Sequence, residues 1–218
     1  MTASPPPESR KTRRERQAET RLQVIAAARQ LFLSLGYHRT TLSAVVDAAG
    51  FTKGAVYSNF TSKAELALAV VEEIERENVE LLAKALQGDL SPAERAAVLT
   101  TWGETLLADT PAIRLRAELG FAAMDDPSLG ETMRHKSRNV RATVEVMLRG
   151  LENTDGFLLD ISLLASTLTA LAVGVGMQKL SDPDYDIQAF VTAATVLTGY
   201  TLPSTDQAGD ASDAAPGA

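Results

Sequence analysis

The sequence predicts an all-α fold of about nine helices. Three observations support this prediction: apolar residues recur at helical spacing along most of the chain, no segment alternates with the period of two that marks a strand, and helix-capping residues separate the apolar runs. Aromatic residues make up only 5% of the chain while Ala and Leu are abundant, which also favours helices over sheet.

The first predicted helices are short and clearly bounded. We expect the first to span about residues 20–35 and to end at Gly36, because glycine reaches positive φ without a Cβ penalty. Thr41 is the expected N-cap of a second helix that ends at Gly50. Thr52 is the expected N-cap of a third helix that reaches residue 58 or 59.

The later helices follow the same pattern of caps. Ser62 and Glu65 form a capping box for a fourth helix that extends to Lys84 or beyond. The remaining helix starts are expected at residues that combine a capping side chain with a following Pro or apolar run: Ser91, Thr110, Asp126, Asp160 and Asp184. The last helix is expected to end near Tyr200.

The sequence divides into four predicted segments. Residues 1–18 are expected to form a disordered basic arm, residues 19–66 a DNA-binding helix-turn-helix domain, residues 67–202 a ligand-binding and dimerisation domain, and residues 203–218 a disordered tail of low complexity.

Charge is distributed unevenly between the two ends of the chain. Residues 1–65 contain ten Lys and Arg against five Asp and Glu, and the remainder contains eleven against twenty-three, so balances of +5 and −12 make up the net charge of −7. A basic end on an acidic body indicates that this end meets a polyanion.

This sequence lacks the residues and motifs that several functional classes of protein require. The chain has no Cys and only two His, His38 and His135, so nucleophilic triads and His- or Cys-based metal sites are not expected. No phosphate-binding or dinucleotide-binding glycine motif occurs. No uninterrupted apolar run has the length of a membrane helix. We therefore predict a cytoplasmic non-enzyme without cofactor, metal or membrane partner.

The segment from Arg39 to Phe60 is typical of a helix-turn-helix. Two helices of about eight residues flank the turn at Gly50 and Phe51, and in such motifs the second helix enters the major groove of DNA. Ala55 and Val56 are the expected inward contacts of that second helix. The side chains expected to reach DNA from it are those of Thr52, Lys53, Tyr57, Ser58 and Asn59.

Two further features support a DNA interface. Gly54 presents no side chain, which permits a close approach of the backbone to DNA. The basic residues Arg10, Lys11, Arg13, Arg14 and Arg16 precede the first predicted helix, and as an arm they are expected to reach the minor groove or neighbouring phosphates. The competing interpretation is that these basic residues only aid solubility.

The stretch from Ile25 to Leu68 resembles the tetracycline-repressor (TetR) family of bacterial regulators. The matching residues, in order, are Ile25, Ala27, Ala28, Leu31, Phe32, Gly36, Tyr37, Thr40, Thr41, Ala48, Ala49, Gly50, Lys53, Gly54, Val56, Tyr57, Phe60, Lys63 and Leu66. Phe51 departs from the smaller aliphatic residue usual at its position, which affects the packing of the turn but not its existence.

The resemblance implies a role for each matching position. Thr41, Tyr57 and Lys63 are expected to contact phosphate, with a thymine methyl as an alternative partner for Tyr57. The start of the recognition helix, Thr52 to Gly54, is expected to touch backbone and bases. The variable positions that choose sequence are Ser58 and Asn59, and Phe60 is a packing residue.

For the acidic C-terminal part, the resemblance implies a dimer interface and an effector pocket. Small residues in the segment 160–178, with Phe190, Ala193, Ala194 and Leu197 in the last helix, are expected to pair two copies as a homodimer. The small residues are Ala165, Ala170, Ala172, Gly174 and Gly176. Large adaptable side chains nominated to contact a small-molecule effector are Trp102, Phe121, Met124, Met147 and Met177.

The predicted function is a ligand-responsive regulator of transcription. The resemblance implies a repressor that a small molecule releases from a palindromic operator in double-stranded DNA. Two alternatives stay open: a ligand-independent DNA-architectural protein, and a helical small-molecule-binding protein without DNA activity. Arg114, Arg116 and Glu118 either orient a polar ligand or form a solvated face.

Overall fold

The computed structural model describes residues 12–150, 157 and 159–198. In these residues every regular element is an α-helix, which confirms the all-α prediction. The nine helices are α1 Arg13–Leu35, α2 Leu42–Ala49, α3 Lys53–Tyr57, α4 Lys63–Ala85, α5 Pro92–Ala108, α6 Thr110–Asp125, α7 Pro127–Arg149, α8 Ile161–Ser181 and α9 Gln188–Thr198. The predicted tail, Arg10, Lys11 and the predicted end at Tyr200 lie outside the described residues.

Most of the predicted N-caps are confirmed by hydrogen bonds. The hydroxyl of Thr41 accepts the backbone N–H of Ala44 at 3.1 Å, and the hydroxyl of Thr52 accepts that of Ala55 at 3.3 Å. Ser91 caps α5 with a full capping box, and carboxylates cap α7 and α8 from Asp126 and Asp160. These side chains satisfy N–H groups that have no partner inside the helix.

The predicted start of the first helix is wrong. α1 begins at Arg13, not near Thr20, because Thr12 and Glu15 form a capping box: the Thr12 hydroxyl accepts from Glu15 N at 3.2 Å and the Glu15 carboxylate accepts from Thr12 N at 2.7 Å. The cationic residues Arg13, Arg14 and Arg16 therefore lie on a helix and not in a disordered arm.

Two other predicted caps are shifted along the chain, and one predicted capping box is only half formed. Asp109, and not Thr110, accepts from the first turn of α6, and Asp186, and not Asp184, accepts from Gln188 at the start of α9. At α4 the Ser62 hydroxyl accepts from Glu65 N as predicted, but the Glu65 carboxylate reaches back to Thr61 and not to Ser62. At α6 and α9 a carboxylate one or two residues from the predicted cap satisfies the same helix end.

The chain forms two compact units. Among the described residues, the first contains residues 12–77 and 114–130, so it extends beyond the predicted boundary at residue 66 and includes most of α6. Its core joins α1 to the short helices and to α4. The fully buried side chains at its centre are Val24, Ala28, Phe32, Val45, Val56, Phe60, Leu66 and Val70.

α6 is attached to the first unit by polar contacts. Arg114 donates to the carbonyl of Leu33 at 2.9 Å, near the C-terminal end of α1. The Glu118 carboxylate accepts the backbone N–H of His38 at 3.0 Å. Arg116 lies 3.9 Å from Glu75 on α4. These three side chains therefore link helices of one unit, which contradicts the solvated-face interpretation for Arg114 and Glu118.

Among the described residues, the second unit contains residues 78–113, 131–150, 157 and 159–198. Leu148, Leu164 and Ala165 are buried together at the contact of α7 and α8, and Leu99 and Leu197 pack against them. In the described part of the chain, α8 alone is long and apolar enough to cross a membrane by length and composition. A helix in the core of a globular protein passes the same test.

Gly36 occupies a backbone conformation that other residues rarely adopt. Its φ is 87° and its ψ 170°, and an added Cβ would lie 2.7 Å from Glu118 Oε1. We predict that Gly36→Ala lowers the free energy of unfolding by about 1–3 kcal/mol. Gly54→Ala is the matched control, since a Cβ there meets nothing within 4 Å. Urea unfolding measures both, and equal stability of the two variants would contradict the prediction.

Candidate nucleic-acid interface

The turn between α2 and α3 has helix-turn-helix geometry. Gly50 adopts a left-handed conformation with φ 69° and ψ 21°, and the chain then passes through Phe51 to the N-cap Thr52. An added Cβ at Gly50 would meet no atom within 4 Å, so glycine is favoured there by its backbone conformation and not by lack of space. Phe51 is half-buried, and the turn accommodates this larger side chain.

α3 is held against the first unit by two apolar side chains. Val56 within the helix and Phe60 just after it are both fully buried. The opposite side is exposed: Thr52, Lys53 and Gly54 are exposed and Tyr57 retains half of its accessible surface. A helix with one buried edge and polar groups on the other can present those groups to a partner. The predicted inward position of Val56 is confirmed, while Ala55 is only half-buried.

Ser58 and Asn59 are partly engaged within their own segment. The Ser58 hydroxyl and the Asn59 side-chain amide both donate to the carbonyl of Ala55, at 2.9 and 2.8 Å. Since an Asn amide carries two N–H groups, Asn59 keeps one donor for another partner. These bonds fix the end of α3, and base reading by the two side chains stays a prediction.

Arg21 holds the end of α3 against α1, and the sequence analysis missed it. Its guanidinium lies 4.2 Å from the centre of the Phe60 ring and donates to the carbonyl of Asn59 at 2.9 Å. Arg21 is three and seven residues before the buried Val24 and Ala28, so it continues the buried stripe of α1. That register is the sequence signal that identifies it.

Lys63, the first residue of α4, contacts the turn between α1 and α2. Its ammonium donates to the carbonyl of Tyr37 at 3.0 Å, lies 3.5 Å from that of His38 and sits 4.3 Å from the centre of the Tyr37 ring. Burial and the charge of Asp126 raise the pKa of the Tyr37 phenol, so the ring stays neutral beneath the cation. Lys63 is thus an internal anchor, and its phosphate contact stays a prediction.

Glu65 holds the segment between α3 and α4 through hydrogen bonds to Thr61. Its carboxylate accepts from both the backbone N–H and the hydroxyl of Thr61 at 2.7 Å. The pKa of Glu65 lies below its usual range, mainly because of the hydrogen bond from the backbone of Thr61 and next because of that from its hydroxyl. The charge of Arg21 lowers this pKa further, whereas burial raises it. Glu65 is therefore ionised at neutral pH and fixes the segment that connects α3 to α4.

The other predicted DNA contacts are accessible. Thr41 is exposed, and because its oxygen caps α2 as an acceptor, its hydroxyl proton is available for a phosphate. Arg13 and Arg14 are exposed on the first turn of α1.

The nominated effector contacts do not lie in one compact unit. Phe121 and Met124 belong to the first unit and are both exposed. Trp102, Met147 and Met177 belong to the second, where the Trp102 indole donates to the carbonyl of Asn78 at 3.1 Å. Their role toward an effector stays a prediction. In the described part of the chain no three His, Asp or Glu side chains are grouped closely enough to hold a metal ion.

Comparison with known proteins agrees with this geometry. Residues 24–70 match the model of the bacterial regulatory proteins of the tetR family. The chain is 41% identical over 80 residues to the HTH-type transcriptional regulator TtgR of Pseudomonas putida, a match that covers 37% of each chain. It thus spans little more than a third of that relative. It is also 31% identical over 177 residues to the HTH-type transcriptional regulator CymR of Pseudomonas putida, covering 78% of this chain and 86% of CymR.

A solved structure of another regulator has a similar fold. The reduced form of E. coli NemR superposes with a TM-score of 0.67 at 21% identity, over 84% of this chain and 100% of NemR. The helices and the exposed α3 therefore define a helix-turn-helix protein of the regulator class. The chain belongs to the TetR family of bacterial regulatory proteins, whose members are regulators and not enzymes.

The internal contacts of Lys63 generate a prediction about stability. Lys63→Met keeps the apolar stem but removes the charge-assisted hydrogen bond to Tyr37, so we expect the free energy of unfolding to fall by about 1–3 kcal/mol. Lys53→Met removes the same charge from an exposed site on α3 and is the control. Urea unfolding of both variants measures the difference. If Lys63→Met were no less stable than Lys53→Met, Lys63 would not anchor the turn.

Proposed function

We propose that this chain is a ligand-responsive, DNA-binding regulator of transcription that acts as a homodimer on a palindromic operator. We further propose that it is a cytoplasmic repressor released from double-stranded DNA by a small molecule. The observation that carries the proposal is the seating of α3, whose buried Val56 and neighbouring Phe60 leave Lys53, Gly54 and Tyr57 exposed.

The chemistry of the exposed surface suits a DNA backbone and base edges. Lys53 supplies a cation, Thr41 and Thr52 supply hydroxyls, and Tyr57 supplies a ring and a phenol. Phosphate contacts from such groups orient a protein on the duplex, and base contacts from the helix in the groove select sequence. Gly54 offers bare backbone at the centre of this surface.

An exposed apolar face on α8 supports the homodimer. Leu163, Ala170, Val173 and Gly174 are exposed at helical spacing, and the small residues Ala170 and Gly174 permit a close approach of a second helix. Two of the other small residues that were expected in the dimer interface are not available to a second copy. Ala165 is buried in its own unit, and an added Cβ at Gly176 would lie 3.3 Å from Ile113. Those two positions therefore pack within the chain.

The last helix also uses part of its predicted interface internally. An added Cβ at Gly103 on α5 would lie 3.1 Å from the Phe190 ring, and Leu197 packs against the core around Leu148. Ala193 and Ala194 are half-buried, while Val196 is exposed. The proposed dimer face is therefore the exposed side of α8 together with Val196.

An effector could change DNA binding by moving α6 as well as α4, because both helices contact the turn between α1 and α2. The side chains of Arg114 and Glu118 hold the end of α1 and the turn at His38, and the same turn receives Lys63 from α4. A ligand that prefers one position of α6 would shift the population of DNA-binding arrangements through these bonds. The proposed effector contacts are Trp102, Phe121, Met124, Met147 and Met177.

The two alternative functions give different results in one experiment. Selection of bound sequences from random DNA yields a palindrome for a regulator and no consensus for an architectural protein. A small-molecule-binding protein without DNA activity retains no DNA at all. Release of the selected DNA by candidate ligands in an electrophoretic shift then tests effector control.

Gly54 offers a direct test of the recognition surface. A methyl group there meets no atom of the protein, so we expect Gly54→Ala to fold with equal or higher stability but to bind the selected DNA at least 10-fold more weakly. Gly120→Ala on α6 is the control, because its Cβ also meets nothing within 4 Å. Fluorescence anisotropy measures both affinities. Unchanged DNA affinity of Gly54→Ala would mean that DNA does not lie against α3 at Gly54.

The proposed dimer face can be tested by introducing a charge that a dimer would bury. Val173 is 62% exposed in the single chain, and we expect Val173→Asp to raise the dimer dissociation constant at least 100-fold, because an unpaired carboxylate would be buried in the interface. DNA affinity would fall with it. Val146→Asp on α7, which is 70% exposed, is the matched control. Light scattering over a concentration series reports the mass, and a stable Val173→Asp dimer would exclude this face.

A further inference from the structure

A shallow cleft, largely open to solvent, lies between the first turns of α1 and the end of α3. Its volume is about 320 Å³. Six residues line it: Arg14, Gln17, Ala18 and Arg21 from α1, with Ser58 and Asn59 from the end of α3. All of them belong to the first compact unit, so the cleft is a feature of that unit alone.

The spacing of the α1 residues explains why they share this cleft. Positions 14, 17, 18 and 21 follow the i, i+3, i+4, i+7 pattern of one helix face. The capping box at Thr12 makes this part of α1 helical, so the face is presented in a fixed geometry. Ala18 lies between the longer side chains and leaves space between them.

The cleft is rich in hydrogen-bond donors and none of its six lining residues carries a carboxylate. Arg14 and Gln17 are exposed, and Asn59 has one amide N–H beyond the bond to Ala55. Arg21 adds positive charge and is held by Phe60 and the Asn59 carbonyl. The ionised carboxylate of Glu65 interacts with Arg21 and offsets part of that charge, so the positive charge of the cleft comes mainly from Arg14.

The acidic residues of the same helix segment lie on other faces of α1. At about 100° per residue, Glu15 is about 100° and Glu19 about 140° around the axis from Arg14. Arg16 lies about 160° away, on the opposite side of the helix. The positive and amide groups are thus gathered toward the end of the recognition helix, where a duplex read by α3 would place its backbone.

We propose that this cleft binds one phosphodiester of the DNA backbone beside the bases read by α3. Arg14, Gln17 and the remaining amide N–H of Asn59 contact the phosphate oxygens, and Arg21 is a positioning residue that holds Asn59 and Phe60. The proposal deepens the proposed function and rests on it. It also gives Asn59 a backbone contact in place of the base reading expected from its position.

The test uses the full-length protein and the DNA selected above. Arg14→Ala removes a charge that contacts phosphate, so we expect at least 10-fold weaker binding and a decrease of about one per half-site in the slope of log affinity against log salt. Gln17→Ala and Asn59→Ala are neutral changes, which lower affinity several-fold and leave that slope unchanged. None of the three changes the selected sequence, because phosphate carries no base identity.

Arg16→Ala is the matched control, since it removes the same charge from the opposite side of α1. We expect it to bind DNA within about two-fold of the wild type. If Arg16→Ala and Arg14→Ala reduced affinity and salt slope equally, general charge and not the cleft would explain the effect. A changed consensus with Asn59→Ala would equally overturn the proposal, because it would place that side chain on a base.

Neutral methylphosphonate linkages, introduced one at a time through the half-site, locate the phosphate. We expect one position that weakens wild-type binding strongly and weakens Arg14→Ala binding little, while other positions affect both proteins alike. The absence of any Arg14-dependent position would overturn the proposal. A rise in melting temperature with inorganic phosphate alone, together with normal DNA binding by Arg14→Ala, would make the cleft a free-anion site and also overturn it.

The outcomes separate this inference from the proposed function. A wild-type protein that retains no DNA in the selection disproves the proposed function. A wild-type protein that binds a palindrome, with variants of Arg14, Gln17 and Asn59 that bind it equally well, disproves only the role of the cleft.

Discussion

The burial of Val56 and Phe60 is the contact on which the DNA-facing surface depends. α3 contains five residues, and a helix of that length has no stability of its own in water. Its orientation must therefore come from outside, and the two fully buried side chains supply it. Thr52 fixes the first turn and Arg21 the last, so the helix is bound at both ends as well as along one edge.

The turn between α1 and α2 connects this surface to the rest of its unit. Lys63 reaches the turn from α4 and Glu118 reaches it from α6, and their hydrogen bonds fall on adjacent backbone groups of Tyr37 and His38. Arg29 adds a second link between α1 and α4 through Glu77, 2.8 Å away, whose pKa its hydrogen bond lowers. The helices that present α3 thus form one hydrogen-bonded frame.

The sequence predicts the helices well because their ends depend on local chemistry. A capping side chain and the N–H groups it satisfies lie within three residues of each other, so Thr41, Thr52 and Asp160 are readable from the chain alone. The start of α1 was equally readable from Thr12 and Glu15. The prediction of a disordered arm does not take this cap into account.

The sequence predicts those parts of the candidate site that depend on one short segment. It does not predict the contacts between segments that are far apart in the chain. The exposure of Lys53, Gly54 and Tyr57 follows from the position of one short helix, and the resemblance to the family points to them. The contacts of Lys63 with Tyr37 and of Arg21 with Phe60 join residues 26 to 39 positions apart, and no local pattern specifies such distances. The register of Arg21 on α1 indicates that it faces the core, but the groups that it meets there depend on packing that the sequence does not display. The same packing decides whether Lys63 faces solvent or an internal carbonyl.

The length of α1 has a mechanical consequence. Arg14 near one end and Leu33 near the other are separated by about 29 Å along the axis, at 1.5 Å per residue. Arg114 grips the Leu33 end, so a tilt of only about 5° about that grip displaces the far end by roughly 2.5 Å, which exceeds the tolerance of a hydrogen bond. If α6 turned the hydrogen-bonded frame about this point, the Arg14 end of α1 would therefore move much farther than the Leu33 end.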